Sequence, residues 1–403
     1  MARPGWRKPE TDQRLSDHIS IGVLARTYPA EAVDAAVAES GRREQRSRLL
    51  PARVVVYYVM AMALFSQASY EEVMRSLVEG VAWSQQWRHR WAIPTKAAIF
   101  KARTRLGVAP LRVLFERTAR PLGTADGKGV WYRKWRLMSI DGTVLDVADT
   151  TANQEVFGRP PSSRGDGSAF PQVRLVALAE CGTHAMVDVA MGSYRTGELT
   201  LAPRVFKSLG PAMLCLADRM YFSYHLWAAA RATGADLLWR ARNNALLPLQ
   251  RRLPDGSYLS WLFANPKDRR HSAEGMAVRV IEYVLNDPSL SKDDTTYRLI
   301  TTILEPAQAP AKELAATYSQ HWEFETALDE LKTHQRGPRL VLRSKQPEGV
   351  EQEIYGYLLT HYAIRALMHD AALDAAEDPD RISFVRSLRA VRRAQIAAPT
   401  FSP

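Results

Sequence analysis

The spacing of apolar residues changes near residue 131, and this change constrains the fold more than any other feature of the sequence. Before it, residues 12–120 read as helices separated by clear stop signals. After it, short apolar stretches alternate with polar residues, as strands do, and helical patterns lie between them. The sequence therefore predicts an α-helical N-terminal domain followed by an α/β domain.

Capping residues mark two helices of the N-terminal part. Ser69 followed by Glu72 predicts a capping box that opens the first helix. Thr95 and Gly107 predict the start and the end of a second helix, Lys96–Leu106.

Signals for export or for a membrane span are not expected in this chain. The longest apolar run, Val54–Phe65, is far shorter than the ~20 residues that cross a bilayer, and a buried helix is the better interpretation. Met1–Gln13 is polar and charged, so we expect no secretory signal. Cys181 and Cys215 make no disulfide framework, which is typical of a reducing cytoplasm.

Positive charge is concentrated in the first third of the chain. Residues 1–130 hold 21 of the 54 Lys and Arg residues but only 12 of the 43 Asp and Glu residues. Such an excess favours a polyanionic partner, although a basic solvated surface is an equally good explanation. The helix Lys96–Leu106 could follow DNA phosphates or simply face solvent, and its candidate residues are Lys96, Lys101, Arg103 and Arg105.

The α/β part is predicted in detail from periodicity. Residues 136–147 are interpreted as two strands joined by a tight turn at Asp141 and Gly142. Later strands are expected at 173–179, 184–191, 213–216 and 236–240, helices at 199–209, 222–233, 311–334 and 350–373, and a β-rich insertion with strands at 276–284 and 296–304. The predicted domains are a helical, DNA-binding domain (1–130), the first part of the core (131–242) and a β-rich insertion (243–310). A core helix (311–345) and C-terminal helices (346–403) follow.

Three acidic residues could form a metal site. Asp141 and Asp218 each end an apolar stretch, and Glu325 lies within a predicted helix. Carboxylate oxygens suit Mg²⁺ or Mn²⁺, and two such ions held close together support phosphodiester chemistry. Each acid also has an ordinary explanation: Asp141 as part of a hairpin turn, Asp218 as a helix cap, and Glu325 as a solvated charge.

The predicted helix 311–334 sharpens this hypothesis. Its spacing places Tyr318, His321, Glu325 and Lys332 on one face, which suits a site that binds metal and phosphate. Asp329 lies on nearly the same face and is a rival carboxylate by geometry alone.

Several stretches of the sequence resemble a known family. YSQHWEFETALDELK matches the pattern Tyr-x2-Arg-x3-Glu-x6-Lys, with His321 in place of the arginine. SIDGTVLDVADT and LCLADRMYFSYHLW are similar to the family's stretches around the two aspartates, and FGRP followed by AFPQVRLVALAECGTHAMVDVAMG is similar to the stretch between them. Over roughly residues 12–350 the chain resembles bacterial insertion-sequence transposases of the DDE superfamily, in the insertion element 4 family.

This resemblance implies a ribonuclease-H-like catalytic core interrupted by the β-rich insertion, and cut-and-paste movement of DNA. It implies two Mg²⁺ or Mn²⁺ ions per active site on Asp141, Asp218 and Glu325, which favours Glu325 over Asp329. The implied partners are double-stranded DNA, both terminal inverted repeats and target, and a second copy of the chain in a synaptic complex. We therefore expect a protein of the bacterial cytoplasm associated with the nucleoid.

The resemblance also implies DNA contacts near the scissile phosphate from Tyr318, position 321 and Lys332. A neutral imidazole cannot clamp a phosphate with two hydrogen bonds, so we expect His321 to hold phosphate more weakly above pH ~7. Arg219, directly after the second acid, is a further candidate. Trp261 is the candidate for receiving a flipped base, as in hairpin-forming relatives, with a core position as the alternative.

Three other functions fit parts of the sequence. A catalytically inactive, transposase-derived DNA-binding protein fits the exchange of arginine for His321. A nuclease on the same core fits the acids but needs neither the long N-terminal region nor the insertion. A transcription factor without metal rests only on the basic helix at Lys96–Leu106.

Overall fold

The computed structural model describes residues 22–46, 48, 50–82, 93–161, 167–264, 275–284, 296–337 and 341–397. The polar start Met1–Gln13, where we expect no secretory signal, lies outside these residues. In the part that is described, no helix combines the length and the apolar character that a membrane crossing requires.

The elements follow the chain in the order that the change of periodicity predicts. The helices are α1 (Gly22–Thr27), α2 (Ala30–Glu39), α3 (Ala52–Leu64), α4 (Tyr70–Ala82), α5 (Lys96–Leu106), α6 (Ala109–Thr118), α7 (Thr151–Phe157), α8 (Glu198–Phe206), α9 (Tyr224–Arg231), α10 (Ala311–Tyr318), α11 (His321–Asp329), α12 (Pro347–Ala375) and α13 (Phe384–Ala397). The strands are β1 (Trp131–Tyr132), β2 (Trp135–Asp146), β3 (Gln172–Glu180), β4 (Met186–Ser193), β5 (Met213–Ala217), β6 (Asp236–Arg240), β7 (Arg251–Arg252), β8 (Tyr258–Leu262), β9 (Met276–Val284) and β10 (Thr296–Thr301). A π-helical segment, Glu330–Gln335, continues α11.

The chain divides into two compact units. One unit, which is helical, holds the chain up to Thr118 together with Glu348–Ile364 of α12 and the chain from Val385 onwards. The other unit holds Ala119–Pro347 and Arg365–Phe384, and it contains all the strands described. The predicted domain boundaries are finer than this division and stay predictions.

The helical unit is built around α3. Every residue of α3 except Arg53 is buried, as expected for a helix that is apolar on all sides. Helix α12 packs closely against it, because a Cβ atom on Gly356 would lie only 2.8 Å from the Val59 carbonyl oxygen. One turn further along α12, the Thr360 hydroxyl donates to the Met60 carbonyl at 3.1 Å. The apolar run Val54–Phe65 is therefore largely a buried helix.

Both predicted caps of the N-terminal part are present. The Glu72 amide donates to Ser69 Oγ at 3.1 Å at the start of α4. The Ala98 amide donates to Thr95 Oγ1 at 3.3 Å, and Gly107 ends α5 with a φ of 69°. These side chains satisfy amide groups that a helix leaves without partners at its first turn.

A single sheet forms the frame of the other unit. Its order is β4-β3-β2-β5-β6-β10-β9-β8-β7, with β1 paired to β2. Strand β2 runs parallel to β5, β5 runs parallel to β6, and the other described pairs are antiparallel. Strand β10 pairs with β6, so the strands of the predicted insertion extend the same sheet.

The sheet buries apolar side chains on both faces. One core cluster joins Met138 and Ile140 of β2 to residues of α8 and α9, including Trp227, which packs edge-on against Trp239 of β6 with ring centres 5.2 Å apart. The other cluster joins Leu137 of β2 to residues of α10. Alternate residues of β2 therefore face different helices, as the twofold period of a strand requires.

Two predicted local structures are wrong. Residues 136–147 form no hairpin, because β2 is one continuous strand that pairs with β3 through both Asp141 and Gly142. The predicted helix 311–334 is broken at Ser319 and Gln320 into α10 and α11, and its end becomes π-helical. Both predictions used local pattern alone, whereas pairing with β3 and packing on the sheet decide the outcome.

We predict that Gly356→Ala destabilises the protein by about 1–3 kcal/mol, because the added Cβ overlaps the Val59 backbone in a packed core. Urea unfolding followed by circular dichroism measures this loss. The matched control is Gly210→Ala, whose Cβ would meet nothing within 4 Å. Equal stability of the two variants would contradict the close approach of α12 to α3.

Candidate active site

Two aspartates come side by side because of the register of β2 and β5. The parallel pairing of these strands ends with Ile140 opposite Ala217. Asp141 and Asp218 directly follow Ile140 and Ala217, so both carboxylates lie where the parallel pairing stops. Oδ1 of Asp141 accepts from the Gly142 amide at 2.7 Å, and Oδ1 of Asp218 accepts from the Met220 amide at 2.8 Å. Both side chains are half-buried.

The third predicted acid reaches the same place from a helix. Helix α11 packs against β2, and Glu325 lies on it within electrostatic reach of both aspartates. The rival Asp329 is exposed and lies 3.4 Å from His334 Nε2. The structure thus brings together Asp141, Asp218 and Glu325.

The electrostatics of this group are those of carboxylates brought together. Burial raises the pKa of Asp141 to about 7, the Gly142 amide opposes this shift, and Asp218, Glu198 and Glu325 add to it by charge repulsion. Partial burial followed by repulsion from Asp218 raises the pKa of Glu325. The groups named as acting on these two pKa values are the carboxylates of Asp218, Glu198 and Glu325 and the Gly142 amide.

Sequence reasoning missed Glu198, which lies beside the group. It is the first residue of α8, and its Oε1 accepts from Arg174 Nη1 at 2.8 Å. A Cβ atom on Gly142 would overlap Cδ and Oε2 of Glu198. The available signal was the glycine directly after Asp141, since glycine inside a strand marks close approach of another group.

Tyr318 and His321 lie beneath the aspartates rather than on an open surface. Tyr318 is 3% exposed, and its hydroxyl donates to the Ala217 carbonyl at 3.3 Å. His321 is also 3% exposed, and its Nδ1 lies 2.7 Å from Ser139 Oγ. Burial lowers the pKa of His321 to about 4, with Asp218 opposing the shift. The expected change near pH 7 therefore fails, because this imidazole is already neutral well below that pH.

Three other predicted contact residues are exposed. They are Arg219 at the end of β5, Lys332 in the π-helical segment, and Trp261, which is 41% exposed on β8. An exposed position on the sheet leaves Trp261 available to a ligand, so the core alternative for this residue is excluded.

The basic residues of α5 divide into two kinds. Lys96 and Lys101 are exposed. Arg103 is 6% exposed and donates to Gln352 Oε1 at 3.0 Å, and Arg105 donates to the Leu50 carbonyl at 2.7 Å. Arg103 therefore acts inside the helical unit, because burial removes its guanidinium from any DNA surface.

The donor set of Asp141, Asp218 and Glu325 fits a hard divalent cation. All the ligand atoms are carboxylate oxygens, which Mg²⁺ and Mn²⁺ prefer, and a bound cation would relieve the repulsion among them. In the described part of the chain, three ligand atoms within 4.8 Å of one another occur instead at His184, Glu323 and Asp380. There the Arg365 guanidinium contacts His184 Nδ1, so a positively charged side chain already lies beside these three residues.

Comparison with known protein families identifies two domains in the chain. The model of the insertion element 4 transposase N-terminal domain matches residues 18–116, and the model of the transposase DDE domain matches residues 134–362. The second match contains all three acids and covers more than half of the chain.

Two curated relatives from Escherichia coli strain K12 are similar in sequence. The transposase InsG for insertion sequence element IS4 is 29% identical over 380 residues, which is 93% of this chain and 82% of the relative. The putative transposase InsZ is 24% identical over 229 residues, which is 57% of this chain and 74% of the relative.

Among solved structures, a piggyBac transposase synaptic complex with hairpin DNA aligns with a TM-score of 0.46 and 12% identity, covering 94% of this chain and 82% of that one. The family matches and the sequence relatives carry the assignment: the chain belongs to the insertion element 4 family of DDE transposases, enzymes that cleave DNA and transfer its strands.

Proposed function

We propose that Asp141, Asp218 and Glu325 are the catalytic carboxylates of this transposase. The observation that carries the proposal is the register of β2 and β5, which ends one residue before each aspartate. The strand order β4-β3-β2-β5-β6, with two antiparallel pairs followed by two parallel pairs, supports a ribonuclease-H-like core. In this proposal strands β7–β10 are the insertion that precedes the glutamate.

The reaction is phosphodiester cleavage at the transposon end followed by attack of the freed 3′-hydroxyl on target DNA. Two bound Mg²⁺ or Mn²⁺ ions would activate the attacking oxygen and stabilise the leaving oxygen. Asp141 and Asp218 would hold them from the rigid sheet, and Glu325 would complete the ligand set from α11. The buried pair Tyr318 and His321 would keep α10 and α11 seated behind the aspartates.

The exposed cations near these carboxylates are the proposed DNA contacts. Arg219 directly follows Asp218, and Lys332 follows Glu325 by two helical turns, so both suit phosphates that flank the reacting bond. Trp261 is proposed to stack on a base that leaves the duplex. In the helical unit, Lys96, Lys101 and the partly exposed Arg105 are the residues of α5 proposed to contact DNA.

The substrates proposed are the terminal inverted repeats and a target duplex, held by two copies of the chain in one synaptic complex within the bacterial nucleoid. Cut-and-paste movement is the proposed route. The inactive alternative has no support in the residues, because the three carboxylates are present and are close enough for their charges to interact.

Cleavage of a labelled duplex that ends in the element's terminal repeat tests the triad. With Mg²⁺ or Mn²⁺ we expect 3′-end nicking by the wild type and a loss of at least about 10³-fold in Asp141→Ala, Asp218→Ala and Glu325→Ala, since each removes a metal ligand. Asp329→Ala is the matched control and should nick at the wild-type rate. Nicking that survives EDTA or the three substitutions would refute the proposed mechanism.

The pKa of Asp141 predicts how stability depends on pH without metal. Because folding raises this pKa from 3.8 to about 7, the protonated acid stabilises the folded state fully below about pH 4, and this stability is lost as pH rises from about 4 to about 7. Asp141→Asn, which stays neutral, should therefore melt at a higher temperature than the wild type at pH 8 in EDTA. The difference between the two melting temperatures should shrink steadily as pH falls from about 7 and vanish only near pH 4. A constant difference across this range would contradict the shift.

A further inference from the structure

A glutamate outside the three-residue signature lies in the same carboxylate group. Glu198 comes from α8, whereas Glu325 comes from α11, which packs against β2. Gly142 makes the approach possible, because any side chain at that position would overlap the Glu198 carboxyl group.

The two oxygens of Glu198 have different surroundings. Oε1 accepts from Arg174 of β3 at 2.8 Å, which fixes the carboxylate in direction. Oε2 lies over Gly142, directly beside Asp141. Arg174 itself is only partly exposed and lies over the Tyr194 ring, with its guanidinium carbon 5.6 Å from the ring centre. Glu198 is therefore an anchored carboxylate beside Gly142 whose charge acts on Asp141, so it is close enough to contribute to the same metal site.

A buried hydroxyl reports the same proximity. Tyr221 is fully buried, and its pKa is raised well above 10 by burial and then by Asp141, Glu198 and Asp218. The Tyr221 side chain therefore lies within electrostatic reach of Glu198 and of both aspartates, although these acids come from three separate parts of the chain.

We propose that Glu198 is a fourth carboxylate of the metal site, with Arg174 as its positioning residue. This inference rests on the proposed role of Asp141 and Asp218. Glu198 completes the ligand set on the α8 side, where its Oε2 would coordinate the ion that Asp141 holds. Arg174 keeps that oxygen in place and partly neutralises the charge of the group.

Mn²⁺ binding to the full-length protein, measured by electron paramagnetic resonance, tests this role without reference to activity. We expect Glu198→Gln to weaken Mn²⁺ affinity about tenfold and Glu198→Asp, which shortens the reach by one methylene, to weaken it less. Arg174→Gln keeps the carboxylate but should also weaken binding. The matched control is Glu282→Gln, since Glu282 likewise pairs with an arginine, Arg298, and accepts from a tyrosine hydroxyl, Tyr258.

Asp141→Asn distinguishes a failure of the proposed role of Glu198 from a failure of the proposed metal site as a whole. If it abolishes Mn²⁺ binding while Glu198→Gln binds like the wild type, the fourth carboxylate is refuted and the triad stands. If Asp141→Asn also binds like the wild type, the metal site itself is wrong. Circular dichroism of Glu198→Gln and Arg174→Gln checks that any loss of Mn²⁺ affinity reflects binding rather than unfolding.

A separate observation in the helical unit points to DNA. Helix α13 contains four arginines and no acidic residue, and Arg386, Arg389, Arg392 and Arg393 line a surface cavity of about 490 Å³. Leu388 and Val391 of the same helix are buried, whereas Arg386, Arg389 and Arg393 are exposed. Arg392 is anchored by donating to the Leu64 carbonyl at 2.6 Å.

Like charges are held together in this cavity. Burial lowers the pKa of Arg392, Tyr357 opposes this shift, and repulsion from Arg389 adds to it. A bound anion would relieve that repulsion, and guanidinium groups match phosphate oxygens with two hydrogen bonds each. We infer that this arginine cavity binds backbone phosphates of DNA, without reading its sequence.

The salt dependence of DNA binding tests the arginine cavity. The triple variant Arg386→Gln, Arg389→Gln, Arg393→Gln removes three proposed phosphate contacts. The plot of log K for DNA binding against log salt concentration should become less steep, with the magnitude of its negative slope reduced by about 2–3. Arg392 is left intact because it also holds the helix. The control exchanges three exposed arginines of the sheet unit, Arg204, Arg231 and Arg252, and should change the slope less.

Binding is measured by fluorescence anisotropy on an unrelated duplex in EDTA, so that cleavage does not enter. An unchanged slope in the α13 variant would overturn the cavity assignment. Asp141→Ala should keep the wild-type slope, which separates this inference from the proposed catalytic residues.

Discussion

The place where β2 and β5 stop pairing is the constraint on which the active site depends. Up to Ile140 and Ala217 the two parallel strands are paired by backbone hydrogen bonds. The residue that follows is an aspartate in both cases. Strand β2 continues past this point only because β3 still pairs with it. The carboxylates are thus held at a fixed spacing by backbone geometry, which tolerates no shift of register.

Holding carboxylates together costs folding free energy, and the surrounding packing must supply it. Apolar clusters on both faces of the sheet bury the residues that precede the aspartates. On the side of α10, Tyr318 hydrogen-bonds to the Ala217 carbonyl and His321 to Ser139, and both side chains are buried. The pKa of about 7 at Asp141 reflects first the burial of its carboxyl group and then the repulsion from neighbouring carboxylates. Strain of this kind at a functional site is relieved when its ligand binds, which couples metal binding to stability.

Local signals predicted the helices well and the strands only in part. Ser69, Thr95 and Gly107 marked helix ends because caps act within a few residues of one another. Asp141 followed by Gly142 is a turn signal locally, yet both residues lie within β2, because pairing with β3 on both sides outweighs a turn preference. The break at Ser319 and Gln320 was likewise invisible to helical periodicity.

By itself, the sequence determined the family and the order of helical and α/β parts, and it singled out the three acids that we propose as catalytic, since motif spacing and periodicity are properties of the chain. Only the tertiary structure decided that Arg103 and His321 are buried, that Glu198 joins the acids, and that α13 belongs with the N-terminal helices. These outcomes depend on which elements pack together across long stretches of chain. Burial and charge coupling arise from that packing, and no local pattern encodes them.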